Sequence, residues 1–135
     1  MAIEQCELFI KFGADISRVI LGHVDIPNDI DYLTKMCSMG FNVQIDHVGR
    51  LQAHQEYLKI ELIRNLIERG FIEEVFLSGD MGKKCYLQAY GGEPGLGYIP
   101  GDFTRQLIAQ GFTQGQVDQI LEYNPRRVFT INSYH

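Results

Sequence analysis

The sequence predicts an α/β fold, a parallel sheet with helices packed against it. Two observations lead there. Short β-branched or alternating runs at residues 18–23, 41–47 and 75–78 are separated by stretches with helical apolar spacing. Each intervening stretch is also long enough for the crossover that parallel neighbours require.

The elements can be justified in order. Glu4 to Phe12 is amphipathic, with Leu8, Phe9 and Phe12 at helical spacing and Gly13 available to end the helix. Arg18-Val-Ile-Leu-Gly-His23 is the first strand, followed by turn chemistry in Val-Asp-Ile-Pro-Asn-Asp. Asn28 is the expected N-cap of a helix that runs to about Met39 and closes at Gly40. Phe41-Asn-Val-Gln-Ile-Asp-His47 alternates with period two and forms the second strand. Ala53 to Arg69 is the long helix, with Ile60, Ile63 and Ile67 as its buried stripe and Gly70 after it. Val75-Phe-Leu-Ser78 is the third strand and runs into Gly79-Asp80. A glycine-rich loop, Tyr90 to Tyr98, precedes a helix around Phe103, Leu107 and Ile108 that stops at Gly111. Thr113-x-x-Gln116 has the form of a capping box, and Asn124-Pro125 places a cap before a proline, so two short terminal helices are expected. No linker composition interrupts the series, so residues 1–135 are expected to form a single unit.

Composition excludes several function classes. The chain has 135 residues, too few for a complete (β/α)8 barrel of roughly 250. Twelve Lys plus Arg against seventeen Asp plus Glu give a net charge of −5, which leaves no broad basic surface for nucleic acid. No apolar run approaches the roughly 18 residues of a membrane span, and the first residues lack a signal-peptide pattern, so a cytoplasmic protein is expected. Cys6, Cys37 and Cys85 are odd in number and widely spaced, which predicts buried thiols. Gly79 to Lys84 lacks the glycine spacing and the hydroxyl residue of a P-loop, and the Tyr90 to Tyr98 loop does not open a helix after a strand. Nucleotide binding is therefore not expected.

In parallel α/β folds ligands gather beyond the carboxyl ends of the strands. Those ends carry His23, then Asp46 and His47, then Asp80. Imidazole and carboxylate are the usual nitrogen and oxygen ligands of zinc, so this set is a candidate site for a divalent metal. A carboxylate at the end of an apolar strand is costly unless it is paired or bound to a cation.

Gly22-His23-Val-Asp25, Gln44-Ile-Asp46-His47 and Phe76-Leu-Ser-Gly-Asp80, followed by Gly-Gly-x-Pro-Gly-x-Gly-Tyr-Ile and Asn124-Pro125-x-Arg127, resemble the phosphotriesterase-like family of the amidohydrolase superfamily. The resemblance spans almost the whole chain and corresponds to the C-terminal part of that family's barrel. It implies a partial (β/α)8 TIM barrel of three parallel strands, equivalent to strands six to eight, with flanking helices. It also implies a hydrolase that uses two divalent metals, usually zinc. His23 matches the histidine that ends strand six and binds one metal. Asp80 matches the aspartate that ends strand eight, binds the other metal and takes a proton during hydrolysis. His47 resembles a histidine beyond strand seven that relays that proton in some members; its usual acidic partner is here Ile26.

Lys83 and Tyr86 follow Asp80 in a pattern similar to the branch that opens phosphorylated sugar lactones, where a basic residue and a tyrosine hold the phosphate. Arg50 could add a second cation, since guanidinium recognises phosphate oxygens bidentately. A phosphotriester suits these residues less well than an anionic lactone. The family's metal ligands on strands one, four and five have no counterpart in the chain. The expectation is a hydrolase fragment inactive alone, completed by an N-terminal half. The alternatives are one half of a two-chain enzyme, or a non-catalytic module that self-associates through its sheet edges.

Overall fold

The computed structural model describes residues 2–26, 28–50 and 53–131. Helix α1 (Ala2–Lys11) leads through a 3-10 turn to strand β1 (Ile20–Leu21), then α2 (Ile30–Ser38), β2 (Asn42–Ile45), α3 (Ala53–Glu68) and β3 (Val75–Leu77). Two 3-10 turns and a π-turn (Ile99–Phe103) then lead to α4 (Thr104–Ala109), α5 (Gln114–Asp118) and α6 (Asn124–Phe129). The sheet order is β1-β2-β3 and both pairings are parallel, with Leu21 opposite Val43 and Val43 opposite Val75.

Burial of the sheet on both faces explains its apolar composition. Val43, Ile45 and Val75 are fully buried, and they pack with Leu33 and Met36 of α2, Ile60, Ile63 and Leu66 of α3, and Leu107 of α4 in one core. Among the described residues no helix is long and apolar enough to cross a membrane.

Several local expectations are corrected. The N-cap of α2 is Asp29, not Asn28. Asp29 has the extended backbone a cap needs and accepts the N–H groups of Asp31 and Tyr32 at 3.0 Å, whereas Asn28 is left-handed at φ 52°. Pro27 lies outside the described residues. The first strand is shorter than expected because Ile16–Arg18 winds into a 3-10 turn. Asn124 caps nothing: Tyr123 before it is already helical, so the chain passes from the π-turn Gln119–Tyr123 directly into α6. Its buried amide instead donates to the carbonyls of Ile72 and Val75 at 2.8 and 2.9 Å. Cys6 and Cys37 are buried as expected, but Cys85 is exposed, within the 3-10 turn Lys84–Tyr86.

The amino ends of the strands are tied from below. Arg127 donates to the Ser17 and Glu73 carbonyls and to Asn42 Oδ1, and the Asn42 amide donates to the Ser17 and Val19 carbonyls. The Asn124-Pro125-x-Arg127 motif therefore holds the sheet at the end opposite His23, His47 and Asp80.

Candidate metal and substrate site

Each strand hands over to its loop through a residue with left-handed backbone. His23, His47 and Asp80 have φ of 58°, 60° and 46°, a region sparsely populated by residues other than glycine. Such outliers gather at functional sites, where the surroundings hold a conformation the chain would not choose alone.

His23 and His47 stack with ring centroids 5.4 Å apart at 25°. Below His23 lies Asp46, fully buried, whose Oδ2 accepts the His23 main-chain N–H at 2.6 Å and stands 3.0 Å from His23 Nδ1. The Gln44 amide donates to the other Asp46 oxygen at 2.7 Å. Beneath Asp46, Asp25 Oδ2 accepts the Asp46 N–H at 3.2 Å and pairs with Lys59 Nζ at 2.5 Å.

Asp80 gathers the rest of the site. His47 Nε2 lies 3.3 Å from Asp80 Oδ2, and Arg50 donates to the Asp80 carboxylate and, at 2.7 Å, to its carbonyl. The same guanidinium reaches Tyr86 OH at 3.1 Å and lies 4.3 Å from the centroid of the Tyr86 ring, a cation–π contact. Hydrogen bonding from Arg50 is the main reason the Asp80 carboxyl is held below the usual aspartate range. Lys83 is exposed, with extended backbone just before the 3-10 turn Lys84–Tyr86, and takes no part in these contacts. The structure thus joins His23, His47, Asp80, Arg50 and Tyr86 and leaves Lys83 at the margin.

A cavity of about 200 Å3 borders His47 on the side of α3; Asp25 and Lys59 form its polar wall, and Ile26, Leu58 and Leu62 its apolar one. Ile26 is exposed, and its side chain offers His47 no proton acceptor.

The donor chemistry fits a divalent cation in part. A histidine that binds a metal commonly gives its other ring N–H to a carboxylate, and Asp46 stands at that position for His23. Asp80 carries a second suitable carboxylate, here neutralised by Arg50. Among the described residues, however, no group of three or more His, Cys, Asp or Glu side chains is placed to hold a metal ion.

Sequence reasoning missed the roles of Gln44, Asp25 and Lys59. One signal was present: Glu56 and Lys59 fall on the same helical stripe as Ile60 and Ile63, and both are buried. A charged residue in an apolar stripe needs a partner from elsewhere.

The model of the Phosphotriesterase family matches residues 1–129. The chain belongs to that family. A phosphotriesterase homology protein of Escherichia coli is 36% identical over 129 residues, which cover 96% of this chain and 44% of the relative. An N-acetyltaurine hydrolase of Dictyostelium discoideum is 31% identical, covering 96% and 38%, and a phospho-furanose lactonase of Mycoplasmopsis synoviae is 28% identical, covering 98% and 39%. The crystal structure of the E. coli homology protein, complexed with phosphate in its active site, superposes with a TM-score of 0.89 at 35% identity over 96% of this chain and 44% of its own. A lactonase from Listeria monocytogenes gives a TM-score of 0.89 at 28% identity, over 98% and 42%.

The chain spans less than half the length of these relatives. As a phosphotriesterase-family chain it has the fold of a partial (β/α)8 barrel, three parallel strands with their flanking helices, as the sequence implied.

Proposed function

We propose that this chain supplies the strand-six to strand-eight portion of a metal-dependent phosphotriesterase-family hydrolase that opens a phosphorylated sugar lactone. The convergence of His23, His47 and Asp80 at the carboxyl ends of adjacent strands, with Arg50 and Tyr86 against Asp80, carries this reading. His23, through Nε2, and Asp80 would each hold a divalent metal, zinc by family resemblance. Bound metal would supply an activated water and polarise the lactone carbonyl. Asp80 takes the proton released in attack, and His47, 3.3 Å from its Oδ2, receives it in turn. Arg50 and Tyr86 bind the substrate phosphate, the guanidinium exchanging its hold on Asp80 for phosphate oxygens. Lys83 adds an exposed positive charge at the rim. A neutral phosphotriester would leave these groups unmatched.

Two ligands belonging to different metals do not make a binuclear centre, so the chain alone is expected to be inactive. The coverage of less than half of each relative supports completion by an N-terminal portion. The cytosol suits its three free cysteines.

The test is complementation. The purified chain is mixed or co-expressed with the remaining N-terminal portion of the E. coli relative, supplied with zinc and assayed on a phosphorylated furanose lactone. Turnover is expected from the mixture only, and Asp80→Asn is expected to abolish it. Turnover by the chain alone, or about two tightly held zinc ions per chain, would sink the incomplete-site reading.

A second reading is favoured by one observation. Among the described residues β1 and β3 each pair on one side only, and such edges accept another strand. If the chain sediments as a dimer and no N-terminal portion restores turnover, it is a non-catalytic association module.

A further inference from the structure

The pair of Asp25 and Lys59 is the most enclosed ion pair among the described residues, with side chains 1% and 9% exposed. It joins the loop after β1 to α3. A pair kept only for stability would have its polar atoms satisfied, yet Asp25 Oδ1 is buried with no partner. Apolar side chains of similar volume would commonly stabilise such a place as well or better. The other oxygen of Asp25 accounts for the pair's presence: besides Lys59 it holds the Asp46 main-chain N–H, at the point where β2 ends. Asp46 then places one oxygen against both the main-chain N–H and Nδ1 of His23.

We propose that Lys59 and Asp25 are positioning residues for His23. Lys59 orients Asp25, Asp25 fixes the Asp46 main chain, and the Asp46 carboxylate keeps the His23 proton on Nδ1. Nε2 is thereby left with its lone pair available to a cation. A lone pair on Nδ1 would face a carboxylate oxygen 3.0 Å away, which is repulsive, so the ring proton belongs there. Only the last link, to a cation, rests on the hydrolase reading.

The experiment uses the full chain, free of metal, in alkaline buffer, and reads the His23 tautomer from long-range 15N–1H correlations. Wild type is expected in the Nδ1–H form. The double variant Lys59→Met with Asp25→Leu removes both charges together and releases the Asp46 main-chain N–H, the link under test, whereas removing one charge strands the other. In the folded double variant the two ring-nitrogen shifts are expected to move toward the average of mixed tautomers, while Lys59→Arg keeps the Nδ1–H form. An Nε2–H wild type, or a folded double variant with unchanged ring shifts, overturns the proposal. If the double variant does not fold, Lys59→Gln is judged by the same criterion. Zinc titration of the chain completed by the N-terminal portion is a separate readout, expected to weaken about tenfold to a hundredfold in the double variant. A completed wild type that takes no zinc counts against the hydrolase reading, while the tautomer still decides the positioning role.

Discussion

Cys37 and Cys85 differ in what their surroundings allow. Burial, with a smaller contribution from Glu74, pushes the Cys37 thiol up to about 12, and burial also raises Cys6, whereas Cys85 is exposed. Since the thiolate is the reactive form, a thiol reagent near neutral pH is expected to label Cys85 alone until the chain is unfolded. Mass spectrometry of the labelled native protein checks this; equal labelling of Cys37 would mean that α2 does not pack as described. Glu56 makes stability depend on pH. Burial raises its carboxyl above the usual glutamate range, against the lowering effects of the Gly49 N–H and Lys59. The folded state therefore takes up the proton more readily than the unfolded one. This contribution is full below the ordinary glutamate value and is lost as pH climbs through the raised one. Glu56→Gln should flatten that slope in urea midpoints measured across mildly acidic pH. At this scale the strand-end residues His23, His47 and Asp80 were legible because the strands were. Asp46 as a support for His23, and Lys59 beneath it, were not, because their partners lie 23 and 34 residues away on other elements.

Among the elements, the loop after β2 depends on a single glycine. Gly49 has φ 83°, and a Cβ built there would stand 2.4 Å from Tyr98 Cδ1 and 2.9 Å from Pro94. The Tyr90 to Tyr98 loop thus packs directly on the segment that carries His47 and Arg50. Gly49→Ala should be destabilising by about 1–3 kcal/mol, visible as a lower urea midpoint, because it combines a left-handed backbone with a collision. The capping box at Thr113 was legible, and both of its reciprocal hydrogen bonds form. Thr113→Ala should cost about 1 kcal/mol, read from the same denaturation curves. The helices were readable in outline because apolar spacing marks them. The turns between them were not, since a left-handed Asn28 beside an extended Asp29 depends on how the chain re-enters α2.

Across the whole molecule, the two ends of the sheet are built differently. The amino ends are held by the buried Asn124 amide and the Arg127 guanidinium, so Asn124→Ala should remove a buried donor shared by the Ile72 and Val75 carbonyls. A loss of about 1–3 kcal/mol is expected in equilibrium unfolding. The partial-barrel architecture was legible through the resemblance, because the motifs fall in order along the chain. The pairing of β1 and β3 on one side only, among the described residues, was legible as well, since it follows from the order of the three strands. The carboxyl ends, by contrast, leave the sheet through three left-handed residues in succession. This inverts the ordinary hierarchy of substitutions. Alanine usually outranks glycine in a folded chain, but at positions 23, 47 and 80 the glycine variant should be the more stable of the two by about 1 kcal/mol, since both lack the functional side chain and only glycine is at ease there. Each strand end thus carries a functional side chain on backbone that glycine alone adopts without cost, and the contacts around His23, His47 and Asp80 hold that conformation in place.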